Sequence, residues 1–98
     1  MLRDFFLGFI KIHILHHASR EPVYGLWLIE ELGKHGYKLS PGTLYPILHK
    51  IEEENLLKSY SKNVSGKIRK YYTANPKGMK ALSRIKEKIN ELIGEVME

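Results

Sequence analysis

Residues 39–57 read Leu-Ser-Pro-Gly-Thr-Leu-Tyr-Pro-Ile-Leu-His-Lys-Ile-Glu-Glu-Glu-Asn-Leu-Leu, and they carry the clearest structural signal in the chain. Apolar residues recur there at positions i, i+3, i+4 and i+7, namely Leu44, Ile47, Leu48 and Ile51. This spacing predicts an amphipathic helix with one buried face. Asn55 tolerates the left-handed conformation and is predicted to end the helix.

The start of this helix depends on Pro46, because a proline deep in a helix costs about 3 kcal/mol. If Thr43 is the N-cap, Pro46 falls in the first turn, where N–H groups lack helical partners. If Ser40 is the N-cap and Pro41 is the first helical residue, the helix must distort at Pro46. We favour a loosened first turn and leave the boundary open.

Two further helices are predicted upstream. Val23–Leu32 has apolar residues at helical spacing, and glycines at 33 and 36 suit its C-terminal end. Leu2–His17 carries apolar residues on more than one face, so it must be buried on several sides. In a protein this small, one of those sides is expected to face a partner subunit.

Downstream, the pattern changes to strands and then returns to a helix. Leu56–Ser61 and Ile68–Thr73 are predicted strands, joined by a hairpin loop at Lys62–Lys67. Asn75 and Pro76 then suit the N-cap and first residue of a last helix. Its apolar residues alternate in spacing between three and four, as along a coiled coil: Leu82, Ile85, Ile89, Leu92 and Val96.

The order helix, helix, helix, hairpin, helix is that of a winged helix-turn-helix, in which the third helix enters the major groove of DNA. We therefore predict a mainly α fold with a small β-hairpin. Residues 1–74 would form the DNA-binding domain, and residues 75–98 a dimerisation helix packed as one unit with the first helix. The predicted dimer contacts combine both helices: Phe5, Phe9, Leu82, Ile85, Ile89, Leu92 and Val96.

Charge supports a polyanionic partner. The 98 residues hold 16 Lys and Arg against 11 Asp and Glu, a formal charge of +5. No acidic residue lies between Asn55 and Asn75, which covers the whole predicted hairpin. Lysines there could clamp phosphates, or could simply keep a strand soluble and its edge unpaired.

The predicted DNA contacts come from the third helix and the hairpin. With its apolar stripe inward, the helix turns its remaining side chains elsewhere; Tyr45 could instead pack in the core and His49 could be plain surface. Hydroxyl, imidazole and ammonium groups reach base edges or phosphates. The predicted set is Ser40, Thr43, Tyr45, His49, Lys50, Lys62, Lys67, Arg69 and Lys70.

Other chemistry is largely excluded by the sequence. The chain has no cysteine, which rules out disulfides and thiolate ligands, and it has no recognisable enzyme motif. No cofactor is expected. The apolar N-terminal run is interrupted by Lys11 and His13 and is too short to span a membrane. We expect a cytoplasmic protein with no membrane partner.

Two aromatic features leave alternatives open. His13 and His17 stand at i and i+4 with His16 beside them, a spacing that could place two imidazoles on one metal. Two ligands do not fill a site, so a structural or interface role is favoured and no metal is predicted. Trp27 could stack on a flat ligand, but a core position is favoured.

The chain resembles the PadR-like transcription regulators. Leu39 to Pro46, continuing through Leu48 to Glu53 and Leu56-Leu57, resembles the family signature. Tyr24-Gly25 resembles a second-helix motif of the family, Gly66-Lys67 with residues 69–72 its wing, and Lys77-Gly78 the turn after the wing. Three positions depart from the family pattern: Asn55 replaces a usual glycine, Ile68 a frequent proline, and Leu26 a common aromatic residue.

This resemblance implies a homodimeric repressor whose last helix is swapped against its partner, with two recognition helices facing successive major grooves. It also implies a small-molecule effector that tunes operator binding, often at the dimer interface. The chain looks like the short branch, without a larger C-terminal domain. Two alternatives remain: a winged-helix module that binds protein, and a metal-responsive regulator that uses His13, His16 and His17.

Overall fold

The computed structural model describes residues 1–98, the whole chain. Four helices and a β-hairpin follow in the predicted order, with one further short strand, which confirms a mainly helical fold with a small sheet. Their bounds are α1 (Leu2–Arg20), β1 (Val23–Tyr24), α2 (Gly25–Lys34), α3 (Pro41–Glu53), β2 (Leu57–Val64), β3 (Lys67–Ala74) and α4 (Pro76–Val96).

The strand β1 was not predicted. The sequence pattern places residues 23 and 24 at the start of the second helix, but they pair antiparallel with β3, with Val23 opposite Tyr72 and Tyr24 opposite Tyr71. The sheet therefore has three strands in the order β1-β3-β2. A two-residue strand leaves no periodic pattern to detect, and the helix begins only at Gly25.

The start of α3 differs from the favoured interpretation. Ser40 is the N-cap, Pro41 is the first helical residue, and the Ser40 carbonyl accepts from the Leu44 N–H at 2.9 Å. Pro46 thus lies inside the helix, where it cannot donate to the Gly42 carbonyl. Both residues are exposed, so solvent can reach that carbonyl and the helix continues to Glu53.

The hairpin β2–β3, called the wing below, is longer than predicted and its loop is shorter. The strands pair from Leu57 opposite Ala74 to Val64 opposite Lys67, which leaves only Ser65 and Gly66 at the turn. Both have positive φ, 51° and 83°, as a type I′ turn requires. The Asn63 side chain also accepts from the Gly66 N–H at 2.9 Å.

The core lies where α1, α2, α3 and the inner face of the sheet meet. Ile14, Leu28, Leu48 and Tyr72 are among its fully buried side chains. Asn55 has φ 61°, so the left-handed end predicted for the third helix is confirmed.

The beginning of α4 is fixed to this core. The predicted cap is confirmed: the Asn75 side chain accepts from the Gly78 N–H at 2.8 Å and donates to the Asn55 carbonyl at 2.8 Å. Gly78 is buried, and a methyl group there would overlap the Leu56 carbonyl oxygen. From Lys86 onward, in contrast, every residue of the helix is exposed.

The exposed end of α4 gives the molecule an elongated shape. It measures 53 × 29 × 20 Å, and its radius of gyration of 14.4 Å exceeds the ~13 Å typical of a compact chain of this length. None of the four helices combines the length and apolar character that crossing a membrane requires.

Candidate nucleic-acid interface

The exposed face of α3 presents three of the predicted contact residues. Tyr45, His49 and Lys50 are exposed and line one shallow groove of about 380 Å³ with Pro46 and Glu53. On the opposite face Leu44, Leu48 and Ile51 are buried in the core, and Ile47 is half-buried. The helix is therefore held firmly while its polar face stays open.

The N-terminus of α3 carries the predicted Ser40 and Thr43. Their hydroxyl oxygens lie 3.2 Å apart in an exposed hydrogen bond, and the first turn has no acidic residue. Helix N-termini have free N–H groups and a partial positive charge, both of which favour an anion. This end of the helix is chemically suited to a phosphate.

The wing gathers the predicted basic residues. Lys62 and Arg69 are directly opposite each other across β2 and β3. Like charges in cross-strand positions repel, and a bound anion would relieve that repulsion. Arg69 is also positioned from the other side, because its guanidinium lies 4.0 Å from the centre of the Tyr24 ring.

A cleft of about 230 Å³ joins the wing to α3 and is called the wing cleft below. It brings together the predicted contacts Tyr45, Lys67, Arg69 and Lys70, whereas Lys62 lies outside it. Tyr45 lines both the wing cleft and the groove along α3, so the two surfaces are continuous.

The wing cleft also has lining residues that were not among the predicted contacts, and three of them are Tyr24, Leu26 and Ile68. Tyr24 belongs to a recognised motif, and the other two are departures from the family pattern. Their positions were therefore marked in the sequence, but only the fold brings them beside the basic residues.

Tyr45 is placed both to pack within the protein and to contact a ligand, the two roles considered for it in the sequence. Its side chain is 40% exposed, yet its hydroxyl packs against the backbone of Gly25 at the start of α2. A methyl group on Gly25 would overlap that hydroxyl. The ring therefore spaces α2 from α3 while one side stays open to a ligand.

The predicted dimer residues divide into two groups. Phe5 and Phe9 are exposed on α1, with ring centres 4.5 Å apart, and the α4 residues from Ile89 onward are exposed as well. Leu82, in contrast, is only 5% exposed and belongs to the core of the protomer. This burial comes from the packing of α4 against α1 of its own chain, and the assignment of Leu82 to a dimer contact stays a prediction. Ile85 is half-buried at the boundary.

The histidines form a contact cluster between α1 and the end of α2. The His13 ring stacks on His35 at 4.5 Å and lies 6.4 Å from His17. Burial, followed by neighbouring positive groups, lowers the pKa of His13, His16 and His17. No three His, Asp or Glu side chains converge in a geometry that could hold a metal ion.

Trp27 is half-buried and packs against the core. Its ring meets His17 edge-on, with centres 5.2 Å apart and planes at 80°. The tryptophan therefore belongs to the α1–α2 contact, on the same side as the histidines.

Comparisons with known proteins agree with this geometry. The model of the transcriptional regulator PadR-like family matches residues 14–84. The transcriptional regulator Rv3488 of Mycobacterium tuberculosis is 45% identical over 96 residues, which cover 98% of this chain and 90% of that protein. The crystal structure of a PadR family regulator from Eggerthella lenta is similar with a TM-score of 0.81 and 31% identity, covering 100% of this chain and 89% of that one. A PadR-like regulator from Bacillus cereus gives a TM-score of 0.78 and 32% identity, with 93% of each chain covered.

Proposed function

The chain belongs to the PadR-like family of transcriptional regulators, and from that premise we propose that it is a dimeric, sequence-specific DNA-binding repressor relieved by a ligand. It is a regulator and not an enzyme. The observation that carries the proposal is the continuity, through Tyr45, of the open face of α3 with the basic wing cleft.

The proposed contacts follow from the position of each group. Tyr45, His49 and Lys50 would reach base edges and phosphates in the major groove, with Ser40 and Thr43 placing a phosphate at the helix start. The wing would clamp the backbone through its cations, which are Lys62, Lys67, Arg69 and Lys70.

Dimerisation is supported by the exposed half of α4. Ile89, Leu92 and Val96 lie at helical spacing on the exposed end of the helix, where exposure rises from 36% at Ile89 to 63% at Val96. Exposed aliphatic rows of this kind are stabilised by a partner helix. Phe5 and Phe9 on α1 would add aromatic area. In this arrangement residues 1–74 bind DNA and residues 75–98 join the two protomers.

Repression and its relief are the simplest output of such a dimer. A dimer bound at a promoter covers DNA that the transcription machinery needs, so the proposed site of action is the cytoplasm, where that DNA lies. A small molecule at the dimer interface would change the spacing of the two recognition helices. Trp27 is a candidate contact for it.

A second function is favoured by one observation. The same apolar surfaces of α1 and α4 could bind a different protein instead of a second copy. A heterodimer isolated with no DNA affinity at low salt would support that function and contradict the first.

Fluorescence anisotropy tests DNA binding directly. The purified protein is titrated against its own promoter DNA and a scrambled duplex at several salt concentrations. We expect tighter binding to the promoter, with affinity that falls steeply as salt rises. Equal weak binding to both duplexes would contradict sequence-specific recognition.

The phosphate clamp has its own test. Lys67→Ala and Arg69→Ala should weaken binding to every sequence and reduce the slope of log affinity against log salt by about 0.9 for each lost phosphate contact. Unchanged affinity in both variants would remove the wing from the interface.

A further inference from the structure

Two exposed aliphatic side chains share the wing cleft. Ile68 is 72% exposed and Leu26 is 62% exposed. Leu26 lies in the first turn of α2 and Ile68 on β3, yet both line the same cleft. The lining includes Lys67, Arg69 and Lys70 and no acidic residue, so apolar and positively charged groups stand side by side.

These two side chains differ from the other exposed apolar residues of the molecule. All other large aliphatic side chains with comparable exposure lie on α1, on α4 or at the ends of those helices, where a second copy would cover them. Leu26 and Ile68 lie outside both helices. The proposed dimer therefore gives no reason for their exposure, and a different partner must cover them if they are to be buried.

The neighbouring cations indicate the chemistry of that partner. Lys70 lies two residues from Ile68 on the same face of β3, and a phosphate is the anion that a DNA-binding protein meets most often. Between successive phosphates of DNA lies deoxyribose, whose carbon-bound hydrogens form an apolar surface. A cleft with cations beside aliphatic groups matches this alternation of phosphate and sugar.

The size of the wing cleft argues against a small-molecule effector. Ligand pockets usually enclose about 300–1,000 Å³ and bury most of the ligand, whereas this cleft has about 230 Å³ and lies at the surface. It can receive part of a polymer that continues on both sides.

We infer that Ile68 and Leu26 pack against deoxyribose of one DNA strand in the wing cleft and supply a salt-independent part of the affinity. The inference rests on the proposed function and adds to it a contact of a different physical kind. Apolar burial releases no counterions, so it changes affinity without changing the salt slope.

The test compares Ile68→Ala and Leu26→Ala with the wild-type full chain on the same duplex, across a salt series. Each variant should bind about tenfold more weakly when affinity is extrapolated to 1 M salt, with an unchanged slope. Lys67→Ala should show the opposite result, a reduced slope. Pro22→Ala changes an exposed apolar residue between α1 and β1, outside the wing cleft and outside both proposed dimer helices, and is the control, expected to bind as the wild type.

Each outcome decides a separate question. Wild-type affinity in both aliphatic variants would overturn this inference, and so would a loss that appears only in the slope; absence of any DNA binding by the wild type would overturn the proposed function itself. A duplex with uracil in place of thymine tests the alternative apolar group, the thymine methyl. An equal effect of uracil on the wild type and on Ile68→Ala supports deoxyribose, and an effect on the wild type that disappears in Ile68→Ala overturns it.

Discussion

Helices α3 and α4 carry nearly the same apolar pattern, yet the structure uses the two patterns differently. In α3 the spaced residues Leu44, Leu48 and Ile51 are all buried within the protomer. In α4 only the first of the series, Leu82, is buried, and exposure rises along the helix to Leu92 and Val96. An apolar stripe therefore predicts that a helix will be covered, but not which chain will cover it.

The largest loss of stability is expected in α3, where the apolar stripe is buried within the protomer. Leu48→Ala would leave a cavity at a fully buried position and should lower the free energy of unfolding by roughly 2–5 kcal/mol. Urea denaturation measures this, and the loss should be the same at every protein concentration. A loss that vanishes at high concentration would show that α3 also depends on a partner.

The next largest effect, on dimer dissociation, is expected at the exposed apolar stripe of α4. Leu92→Asp places a charge in the proposed dimer contact and should raise the dimer dissociation constant by roughly 30- to 150-fold, which corresponds to about 2–3 kcal/mol. Because Leu92 is 57% exposed in the protomer, far-UV circular dichroism should change little. Sedimentation velocity over a dilution series measures the dimer dissociation constant.

Asn90→Asp is the matched control for this variant. It adds the same charge two residues away, about 200° around the helix, on another face. If both variants dissociate equally, net charge and not the apolar stripe controls association.

A smaller effect is expected at the anchored end of α4. Asn75→Ala removes the side chain that accepts from Gly78 and donates to the Asn55 carbonyl, and it should cost about 1 kcal/mol of stability. Thermal unfolding measures the cost. Asn75→Ser retains a capping oxygen, so it should recover most of the loss; no recovery would assign the effect to the bond with Asn55.

The smallest effect is a dependence of stability on pH from the histidines beside α4. His13 and His16 line a groove between α1 and α4 with Leu82 and Lys86. Burial is the first cause that lowers the pKa of both below the usual 6.5; His35 adds to it for His13, whereas Arg20 and Lys86 do so for His16. Glu31 opposes the shift at His13.

The direction of this dependence follows from proton binding. The unfolded chain binds more protons than the folded one between the lowered pKa and 6.5, so stability is complete above about pH 6.5 and declines as pH falls through the folded values. Urea midpoints from pH 7.5 to 5 measure the decline. His13→Gln should make it shallower, and an identical decline in this variant would exclude His13 as a source.

Local chemistry allowed much of the fold to be predicted. Asn55 takes the left-handed conformation because its short polar side chain tolerates it, and Asn75-Pro76 begins α4 because both residues suit a helix start. Contacts between residues that are distant in the sequence could not be predicted from local patterns. Val23 and Tyr24 become a strand only because β3 lies beside them, and Leu82 becomes core only because α4 returns to α1.

The sequence predicted the residue types of the candidate site better than it predicted their arrangement in space. The acid-free hairpin identified the basic residues, since charge is visible in the sequence. The cleft that joins them to Tyr45 depends on how α2, α3 and β3 meet. Leu26 and Ile68 were consequently noted as departures from a pattern and not as parts of a surface.

The contact between Gly25 and Tyr45 offers a means of protein engineering. Gly25 has no side chain, so the α2 backbone approaches the Tyr45 ring directly. The residue at position 25 therefore sets the smallest spacing between the two helices. Larger side chains at position 25, each paired with a smaller side chain at position 45, would tilt α3 in small steps. In the proposed symmetric dimer each tilt is applied twice, so paired substitutions at positions 25 and 45 would change the distance between operator half-sites while His49 and Lys50 stay unchanged.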